Sequence, residues 1–321
     1  MAGGQERILR RRIKSVQSTK KITRAMELIA ASRIVKAQAR VLAAQPYADG
    51  ITEVVRDLQA AGAGANNPLL VPRPQTRRVG EVVIAADRGL CGAYNSSVIR
   101  AAEGDIRAQR AQGRETAIVT VGRKPEGYFR FRDYPLEASF GGFTQNPSYE
   151  DARHVAAAVI GPFRDGVLDL VQLTYTRFIS VGRQEVVIVP LLPLPSVEIS
   201  APSEHAEPRA SYEFEPEPEE ILAALLPRYA EARIYAALLN AAASEHAARQ
   251  RAMKAATDNA DELITALSRV MNRARQDAIT TEIMEIVGGA EALQAGGEVD
   301  EHERFDFGGV RAALTASHTG H

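Results

Sequence analysis

Residues 228–287 have the sequence RYAEARIYAALLNAAASEHAARQRAMKAATDNADELITALSRVMNRARQDAITTEIMEIV and contain neither glycine nor proline. Good helix formers such as alanine, leucine, methionine and glutamine fill much of this stretch. A continuous helix of about 60 residues would be roughly 90 Å long, whereas ordinary helices have about a dozen residues. Within it, apolar residues recur at alternating three- and four-residue steps, which predicts a coiled-coil seam about three heptads long: Met253, Ala256, Ala260, Leu263, Leu267, Val270 and Ala274. A long helix with a narrow apolar seam needs a partner helix.

A second helix is predicted near the start of the chain, because residues 5–45 also lack glycine and proline. Pro46 and Gly50 are expected to bend it before it resumes through residues 51–61. Its apolar positions fit a 3.6-residue stripe better than a strict heptad: Ile13, Val16, Ile22, Met26, Ile29, Ile34 and Val41. Two long helices at opposite ends of the chain, with a compact region between them, are expected to pair in antiparallel fashion.

Positive charge is concentrated at the start of the chain, although the net charge of the 321 residues is only -1. Between Glu6 and Arg40 the only acidic residues are Glu6 and Glu27, against eleven basic ones: Arg7, Arg10, Arg11, Arg12, Lys14, Lys20, Lys21, Arg24, Arg33, Lys36 and Arg40. Such a helix favours an acidic partner, whether protein carboxylates, phosphates or anionic lipid. The simpler interpretation is a solvated basic face.

Several classes of protein are disfavoured by composition. Cys91 is the single cysteine, which excludes an internal disulfide and a thiolate metal cluster. No stretch approaches about 18 consecutive apolar residues, so no membrane span is predicted. Residues 1–12 lack the apolar segment of a signal peptide. We therefore expect a cytoplasmic protein, attached to a membrane at most peripherally.

The period of the pattern changes in the middle of the chain, after a loop rich in glycine and proline at residues 62–74. Short runs rich in valine and isoleucine predict strands, and the stretches between them predict helices with Asn95 or Ser96 as a cap. The strands are placed at 79–86, 116–121, 168–180 and 184–192, and the helices at 96–112 and 147–163. Residues 181–183 are predicted to close a hairpin. Alternating strands and helices predict an α/β domain at residues 75–200 with an antiparallel edge.

Residues 87–95, DRGLCGAYN, form a glycine-bearing turn between a predicted strand and a predicted helix, a position at which phosphates can bind. The turn matches neither the dinucleotide-binding nor the P-loop pattern, and no lysine follows to meet a phosphate. A tight structural turn, with Cys91 as a small packed residue, is the favoured interpretation. The six histidines show no ligand spacing. No catalytic residue, cofactor site or metal site is therefore predicted.

Three segments of the chain carry a family resemblance. They are residues 12–16 (RIKSV) with 19–32 (TKKITRAMELIAAS), the turn at 87–95, and residues 255–260 (AATDNA) with 272–276 (NRARQ) and 279–290 (ITTEIMEIVGGA). Together they resemble the γ subunit of bacterial F-type ATP synthase. The resemblance implies a long antiparallel coiled coil of N- and C-terminal helices with a central Rossmann-like α/β domain. It divides the chain into an N-terminal shaft helix (1–61), the α/β domain (75–200), an acidic linker (201–220), a C-terminal shaft helix (221–290) and an extension (291–321).

The function implied by this resemblance is that of a central rotor shaft, a non-catalytic subunit without a cofactor. The shaft would turn inside a hexamer of α and β subunits, and the α/β domain would rest on the ε subunit and the c ring. This places the protein at the cytoplasmic face of the plasma membrane, as a peripheral component. The resemblance implies contacts with the α and β subunits for nine residues: Lys20, Lys21, Arg24, Met26, Arg249, Arg275, Gln276, Thr280 and Ile283.

Two other classes of function stay open at this point. A basic coiled-coil adaptor for nucleic acid or anionic membrane would explain the charge of the first helix, but not the α/β domain. A nucleotide-binding enzyme would explain the α/β domain, but the chain lacks a phosphate-binding lysine and a catalytic group.

The length of the paired part of the shaft is a further prediction. The C-terminal seam continues to Ala274, and the next seam position is Asp277, whose burial would be costly. Pairing is therefore expected to stop near Ala274, with Leu263 and Leu267 packed on residues 8–16. Beyond this point, Ile283 and Met284 are expected to contact nothing else in the chain except neighbouring turns and the tail.

Overall fold

A computed structural model describes residues 2–60, 62–65, 67–194 and 215–297. The described chain forms two compact units. One, the central unit, is made of residues 20–259; the other, the terminal unit, is made of the residues before Lys20 and after Asn259. Most of the predicted extension at 291–321, from residue 298 onward, and most of the predicted linker at 201–220 lie outside the described residues.

The first helix, α1 (Ala2–Ala60), is continuous through Pro46 and Gly50, so it is not interrupted before residue 51. In the central unit its buried positions follow alternating steps of four and three residues, with one gap of two heptads after Ala37, and so obey the heptad rule rather than the predicted 3.6-residue stripe: Thr23, Glu27, Ala30, Ile34, Ala37, Ile51, Val55 and Leu58. Ile22 and Ile29 are exposed. The sequence concealed this seam because two of its positions, Thr23 and Glu27, are polar.

The last helix, α5 (Pro218–Gly297), has 80 residues and extends beyond the predicted helix at both ends. Its buried and half-buried face also has a heptad period: Met253, Thr257, Ala260, Ile264, Leu267, Met271, Ala274 and Ala278. Four of these residues, Met253, Ala260, Leu267 and Ala274, belong to the predicted seam. The predicted seam residues Leu263 and Val270, by contrast, are 41% and 50% exposed. There the prediction is off by one residue, because apolar residues also occupy the neighbouring positions, 264 and 271, so two seams fit the same stretch.

Within the central unit α1 and α5 run antiparallel, as predicted. Thr23 Oγ1 lies 2.8 Å from Thr257 Oγ1. An Arg40 guanidinium nitrogen donates to the Tyr235 hydroxyl at 3.3 Å. Residue numbers therefore rise along one helix as they fall along the other.

In the terminal unit the two ends of the chain are the only described elements. Ile13 is buried, and Leu9 and Val16 are half-buried, on the α1 side. On the α5 side the last half-buried position is Ala278, one turn past the predicted limit, and residues 279–293 are all exposed. Residues 279–293 of α5 are therefore unpaired in the described part of the chain, as predicted for Ile283 and Met284.

The middle of the chain forms a five-stranded sheet in the order β3-β2-β1-β4-β5. Its strands are β1 (Arg78–Ile84), β2 (Glu115–Val121), β3 (Leu136–Phe140), β4 (Leu170–Phe178) and β5 (Gln184–Leu192). The first four are parallel, and β5 pairs antiparallel with β4 through the predicted hairpin. This confirms the α/β class and the antiparallel edge.

Three more helices complete the central unit: α2 (Tyr94–Ala111), α3 (Arg123–Phe131) and α4 (Tyr149–Arg164). Residues of α2 and α3 pack on one face of the sheet, and residues of α4, α1 and α5 pack on the other. The sequence did not predict α3 or β3, because Pro125 and Gly127 obscure the short helix. It also placed the α2 cap wrongly, since the helix begins after Ala93 without a side-chain cap.

Candidate functional site

The crevice at the carboxyl ends of β1 and β4 is the first place to look for a ligand site. The strand order reverses there, because α2 and α4 leave to opposite faces of the sheet, and sheets of this kind bind ligands at such a point. In this protein α5 occupies the crevice. The Tyr94 hydroxyl donates to the Ala241 carbonyl oxygen at 3.1 Å, and the Ser244 hydroxyl donates to the Thr176 carbonyl oxygen at 3.1 Å. The protein's own helix is therefore hydrogen-bonded to both sides of the crevice in which a nucleotide would lie.

The Asp87–Asn95 turn is held by its polar side chains. The Asp87 carboxylate accepts hydrogen bonds from the Gly142 amide at 2.9 Å, the Thr144 amide at 3.2 Å and the Arg123 amide at 3.2 Å. Asn95 accepts from the Ala86 amide at 2.9 Å. Acceptors that would serve a ligand in an enzyme are therefore used to fix the turn, which supports its interpretation as a structural element.

Cys91 lies in the same turn and is 1% exposed within an apolar cluster. Burial raises the pKa of its thiol, which opposes formation of the thiolate. Its role as a packed residue is confirmed.

A buried polar network joins this turn to α5. An Arg249 guanidinium nitrogen donates to Glu245 Oε1 at 2.7 Å and to the Gly89 carbonyl oxygen at 3.3 Å. The Gln145 amide nitrogen donates to Glu245 Oε1 at 3.0 Å, and Thr144 Oγ1 lies 3.4 Å from Glu245 Oε2. We call Glu245, Arg249, Thr144, Gln145 and the Gly89 carbonyl the anchor network. It fixes one segment of α5 to two separate loops of the α/β layer.

His246 lies next to this network and is 2% exposed. Its Nε2 is 3.2 Å from the Gln145 carbonyl oxygen, whereas Nδ1 has no hydrogen-bond partner in the described part of the chain. Burial is the main cause that lowers the pKa of His246, so the imidazole is neutral near physiological pH.

The nine residues predicted to contact α and β subunits lie on two helices, α1 and α5. On α1, Lys21 and Arg24 are exposed and Lys20 and Met26 are half-buried. Arg24 also pairs with Glu27 at 2.9 Å. On α5, four residues lie on the exposed surface of the terminal unit: Arg275, Gln276, Thr280 and Ile283.

Arg249 differs from the other eight, because it is 7% exposed and belongs to the anchor network. Sequence reasoning missed the other side chains of this network. Glu245 is four residues from Arg249 on the same helix, whereas Thr144 and Gln145 are about 100 residues away in the chain. One signal was present, since the alanine-rich stretch AAASEHAARQ at 241–250 carries an isolated acid, histidine and arginine.

Two searches of the described residues gave negative results. No group of three or more histidine, cysteine, aspartate or glutamate residues there is arranged to hold a metal ion. None of the described helices is long and apolar enough to span a membrane.

Comparison with known proteins shows which family this chain is similar to. A family model described as ATP synthase matches residues 5–293. The chain is 52% identical over 297 residues to the ATP synthase gamma chain of Frankia casuarinae, covering 91% of this chain and 99% of that one. It is 49% identical over 301 residues to the ATP synthase gamma chain of Mycolicibacterium smegmatis, covering 89% of this chain and 97% of that one.

Solved structures have the same fold. In the mitochondrial ATP synthase of Euglena gracilis, one chain superposes with a TM-score of 0.64 at 20% identity, covering 94% of this chain and 98% of that one. In the central stalk and c-ring structure from Tetrahymena thermophila, the TM-score is 0.55 at 25% identity, covering 73% of this chain and 99% of that one. The similarity to the gamma chains extends over almost the whole of each relative, and the chain therefore belongs to the ATP synthase gamma chain family.

Proposed function

We propose that this chain is the central rotor shaft of a proton-driven ATP synthase, which couples rotation of the c ring to conformational change at the catalytic β subunits. It is a non-catalytic subunit, and ATP is made elsewhere in the complex. The observation that carries the proposal is the unpaired end of α5. Residues 279–293 are exposed, and the apolar residues among them have no cover in the described part of the chain: Ile279, Ile283, Met284, Ile286, Val287 and Leu293.

An exposed apolar helix of this length indicates an interaction surface. We assign its cover to the α and β subunits, which would surround the tip as a bearing. Apolar contacts are non-directional, so such a sleeve would hold no single rotational angle strongly. Arg275, Gln276, Thr280 and Ile283 would make the contacts of this upper level.

A second level of contact is proposed on α1, where Lys20, Lys21, Arg24 and Met26 would meet acidic loops at the base of the β subunits. The charge of this helix supports the assignment. Because the shaft presents a different side to each β subunit, rotation changes which β conformation is favoured. This is allostery by differential contact, and it needs only unequal affinity of the shaft for open and closed β subunits.

The anchor network gives the shaft a rigid base. Torque applied to the α/β layer has to reach α5, and the hydrogen bonds that join Glu245 and Arg249 of this helix to Gln145 and to the Gly89 carbonyl oxygen resist a slide of the helix against the sheet. Arg249 therefore acts on the β subunits through the position of α5. We place the ε subunit and the c ring against the α/β layer, and the complex at the cytoplasmic face of the plasma membrane.

The alternative of a nucleotide-binding enzyme is opposed by the position of α5, which is hydrogen-bonded to both sides of the crevice of the sheet. The alternative of an adaptor for nucleic acid or membrane would explain the basic charge of α1, but neither the α/β layer nor the exposed apolar end of α5.

The experiment that tests the proposal is co-purification. A tagged chain expressed with its neighbouring subunits is expected to carry the α and β subunits into a complex that hydrolyses ATP. A chain that remains alone, monomeric and soluble, and hydrolyses ATP by itself, would refute the rotor assignment. A salt-sensitive complex with DNA, formed without α and β, would favour the adaptor instead.

A further inference from the structure

A cavity of about 360 Å³ in the central unit lies between α1, the loop that precedes α4, and α5. Its polar lining consists of Arg33, Lys36 and Arg40 from α1, Gln145 and Asn146 from the loop, and His246 from α5. The rotor function uses none of these groups except Gln145, which belongs to the anchor network. We call this cavity the basic pocket.

The basic pocket has an uncompensated positive charge. Its three cationic residues recur at steps of three and four along α1 and so share one face of the helix. None of the described residues that line it is acidic. No carboxylate forms an ion pair with any of the three in the described parts of the chain. The nearest acid on α5, Glu245, is already bound by Arg249 and Gln145.

The arginines of the pocket are oriented by neutral acceptors. Arg33 donates to the Gln145 side-chain oxygen at 2.5 Å, and Arg40 donates to the Asn146 side-chain oxygen and the Pro147 carbonyl. A guanidinium has five N–H donors in a planar fork, so donors remain on each arginine after these bonds. The loop thus orients the guanidinium groups of Arg33 and Arg40 without neutralising their charge. Guanidinium groups held in this way are suited to bind an oxyanion.

The environment of His246 is a second, independent observation that supports a ligand site in the basic pocket. It lines the basic pocket, its side chain is 2% exposed, and its Nδ1 has no partner in the described part of the chain. A buried polar atom of this kind ordinarily has a hydrogen-bond partner. An oxyanion provides one, because it accepts from a protonated Nδ1 or donates its own proton to a neutral one.

We propose that the basic pocket is a binding site for a small phosphate-class oxyanion, held by Arg33, Lys36 and Arg40 and completed by His246. The bound anion would join α1 to α5 beside the anchor network and stiffen the place where both helices meet the α/β layer. Free phosphate, the terminal phosphate of a nucleotide and a phospholipid headgroup present the same chemistry. The site stands independently of the rotor function, since it depends only on contacts within this chain.

Protonation of His246 gives the proposal a specific signature. Burial lowers the pKa of His246, Arg33 and Arg249 lower it further, and Glu245 and the bond to Gln145 oppose them. Lys36 and Arg40 are the other charged groups that line the pocket. An anion bound among these cations offsets their charge and favours the imidazolium. The pKa of His246 is therefore expected to rise when the site is occupied.

The test is a titration of the full chain at constant ionic strength with inorganic phosphate, with ADP, and with vesicles that contain phosphatidic acid. Chloride serves as the reference anion. Saturable binding of phosphate is expected, and Lys36→Gln is expected to weaken it about tenfold, the loss of one charge-assisted contact. Arg100→Gln removes the same charge from an exposed position on α2 and is expected to leave binding unchanged. Arg33→Gln provides a second pocket variant.

The outcomes are distinct. Phosphate or ADP binding indicates a soluble oxyanion, and binding by vesicles alone indicates a lipid headgroup. In either case NMR titration of labelled histidine, with the His246 signal assigned from His246→Gln, must show its pKa rising with the ligand. Absence of saturable binding in all three arms overturns the proposal. Equal loss of affinity in Lys36→Gln and Arg100→Gln, or a His246 pKa that ignores the ligand, also overturns it.

Discussion

Arg249 and Glu245 form an ion pair whose side chains are 8% and 1% exposed. Arg249→Met is expected to lower the free energy of unfolding by about 3–5 kcal/mol, because it leaves the Glu245 carboxylate buried without its charge partner. The double variant Glu245→Gln with Arg249→Met is expected to recover much of this loss. Urea unfolding of the full chain measures both. A cost below about 1 kcal/mol for Arg249→Met would show that the anchor network does not fix α5.

A second buried acid lies on the face of the sheet that is covered by α2. Glu81 on β1 is fully buried and accepts from Gln172 at 3.1 Å and from Thr174 at 3.3 Å. Gln172 also donates to Asp105 at 3.1 Å, which brings a second carboxylate to the same place. Burial, followed by the hydrogen bond and the charge of Asp105, raises the pKa of Glu81 well above its ordinary value. Glu81 is therefore protonated in the fold where it would be ionised in the unfolded chain.

This difference makes stability depend on pH. Between the ordinary pKa of Glu81 and its raised pKa, the folded state binds more protons than the unfolded state, so stability falls as pH rises through that window. Glu81→Gln resembles the protonated form and is expected to remove this fall. It should match the parent chain below the ordinary pKa of a glutamate and exceed its unfolding free energy near pH 8, with Glu185→Gln as an exposed control on β5. Parallel pH profiles for the two variants would contradict the assignment.

At the residue scale the sequence predicted the role of a single residue better than it predicted which residues are in contact. It correctly gave Cys91 a packing role, because a small apolar residue in a tight turn suggests little else. It could not find the anchor network, since Gln145 and Glu245 are about 100 residues apart and their contact depends on how α5 enters the crevice.

Among the elements, the phase of the α5 seam is the sharpest test of the helix pairing. Ile264 is half-buried and Leu263 is 41% exposed, although both are aliphatic and adjacent. Ile264→Ala is therefore expected to cost about 1–2 kcal/mol of unfolding free energy, and Leu263→Ala less than about 0.5 kcal/mol. Hydrogen exchange of the α5 amides in the full chain is the matching readout. A larger effect at Leu263 would restore the seam first predicted from the sequence.

Sequence patterns were sufficient to predict some of the helices and strands, but not which residues of a helix are buried. The strand at Gln184–Leu192 and the long helices were found because their composition leaves few alternatives. The seam phase was not, because a heptad pattern fixes the period of a helix but leaves the choice between adjacent apolar residues to its partner. In α1 the seam includes Thr23 and Glu27, which pair with Thr257 and Arg24, so burial there is not visible as hydrophobicity.

For the whole molecule, the order of the segments predicted the architecture, but it did not predict how α5 packs against the sheet. The resemblance gave two long helices with an α/β domain between them, and the structure agrees. That α5 lies in the ligand crevice of the sheet has no sequence signature, since the Tyr94–Ala241 bond joins residues 147 positions apart. Because α5 lies at this crevice, a sheet of a type that commonly binds nucleotides instead holds a helix in position.

The unpaired end of α5 connects the structure to the proposed rotor function. Ile283 and Met284 are 54% and 68% exposed, so their replacement removes almost no internal packing. The double variant Ile283→Gln with Met284→Gln is expected to change the unfolding free energy of the isolated chain by less than about 0.5 kcal/mol, and to make that chain more soluble. In the complex the same variant is expected to weaken association with the α and β subunits, because their apolar cover would face two amides.

A matched variant separates the two effects. Leu267→Gln with Met271→Gln makes the same chemical change at half-buried seam positions, and it is expected to destabilise the isolated chain itself. Pull-down from the reconstituted complex and urea unfolding of the free chain, measured for both variants, distinguish assembly from folding. If the tip variant assembles with α and β as well as the parent chain does and supports the same rate of ATP synthesis, the exposed apolar surface is not a bearing. The tip would then need another partner, and the contacts proposed for Ile283 would be withdrawn.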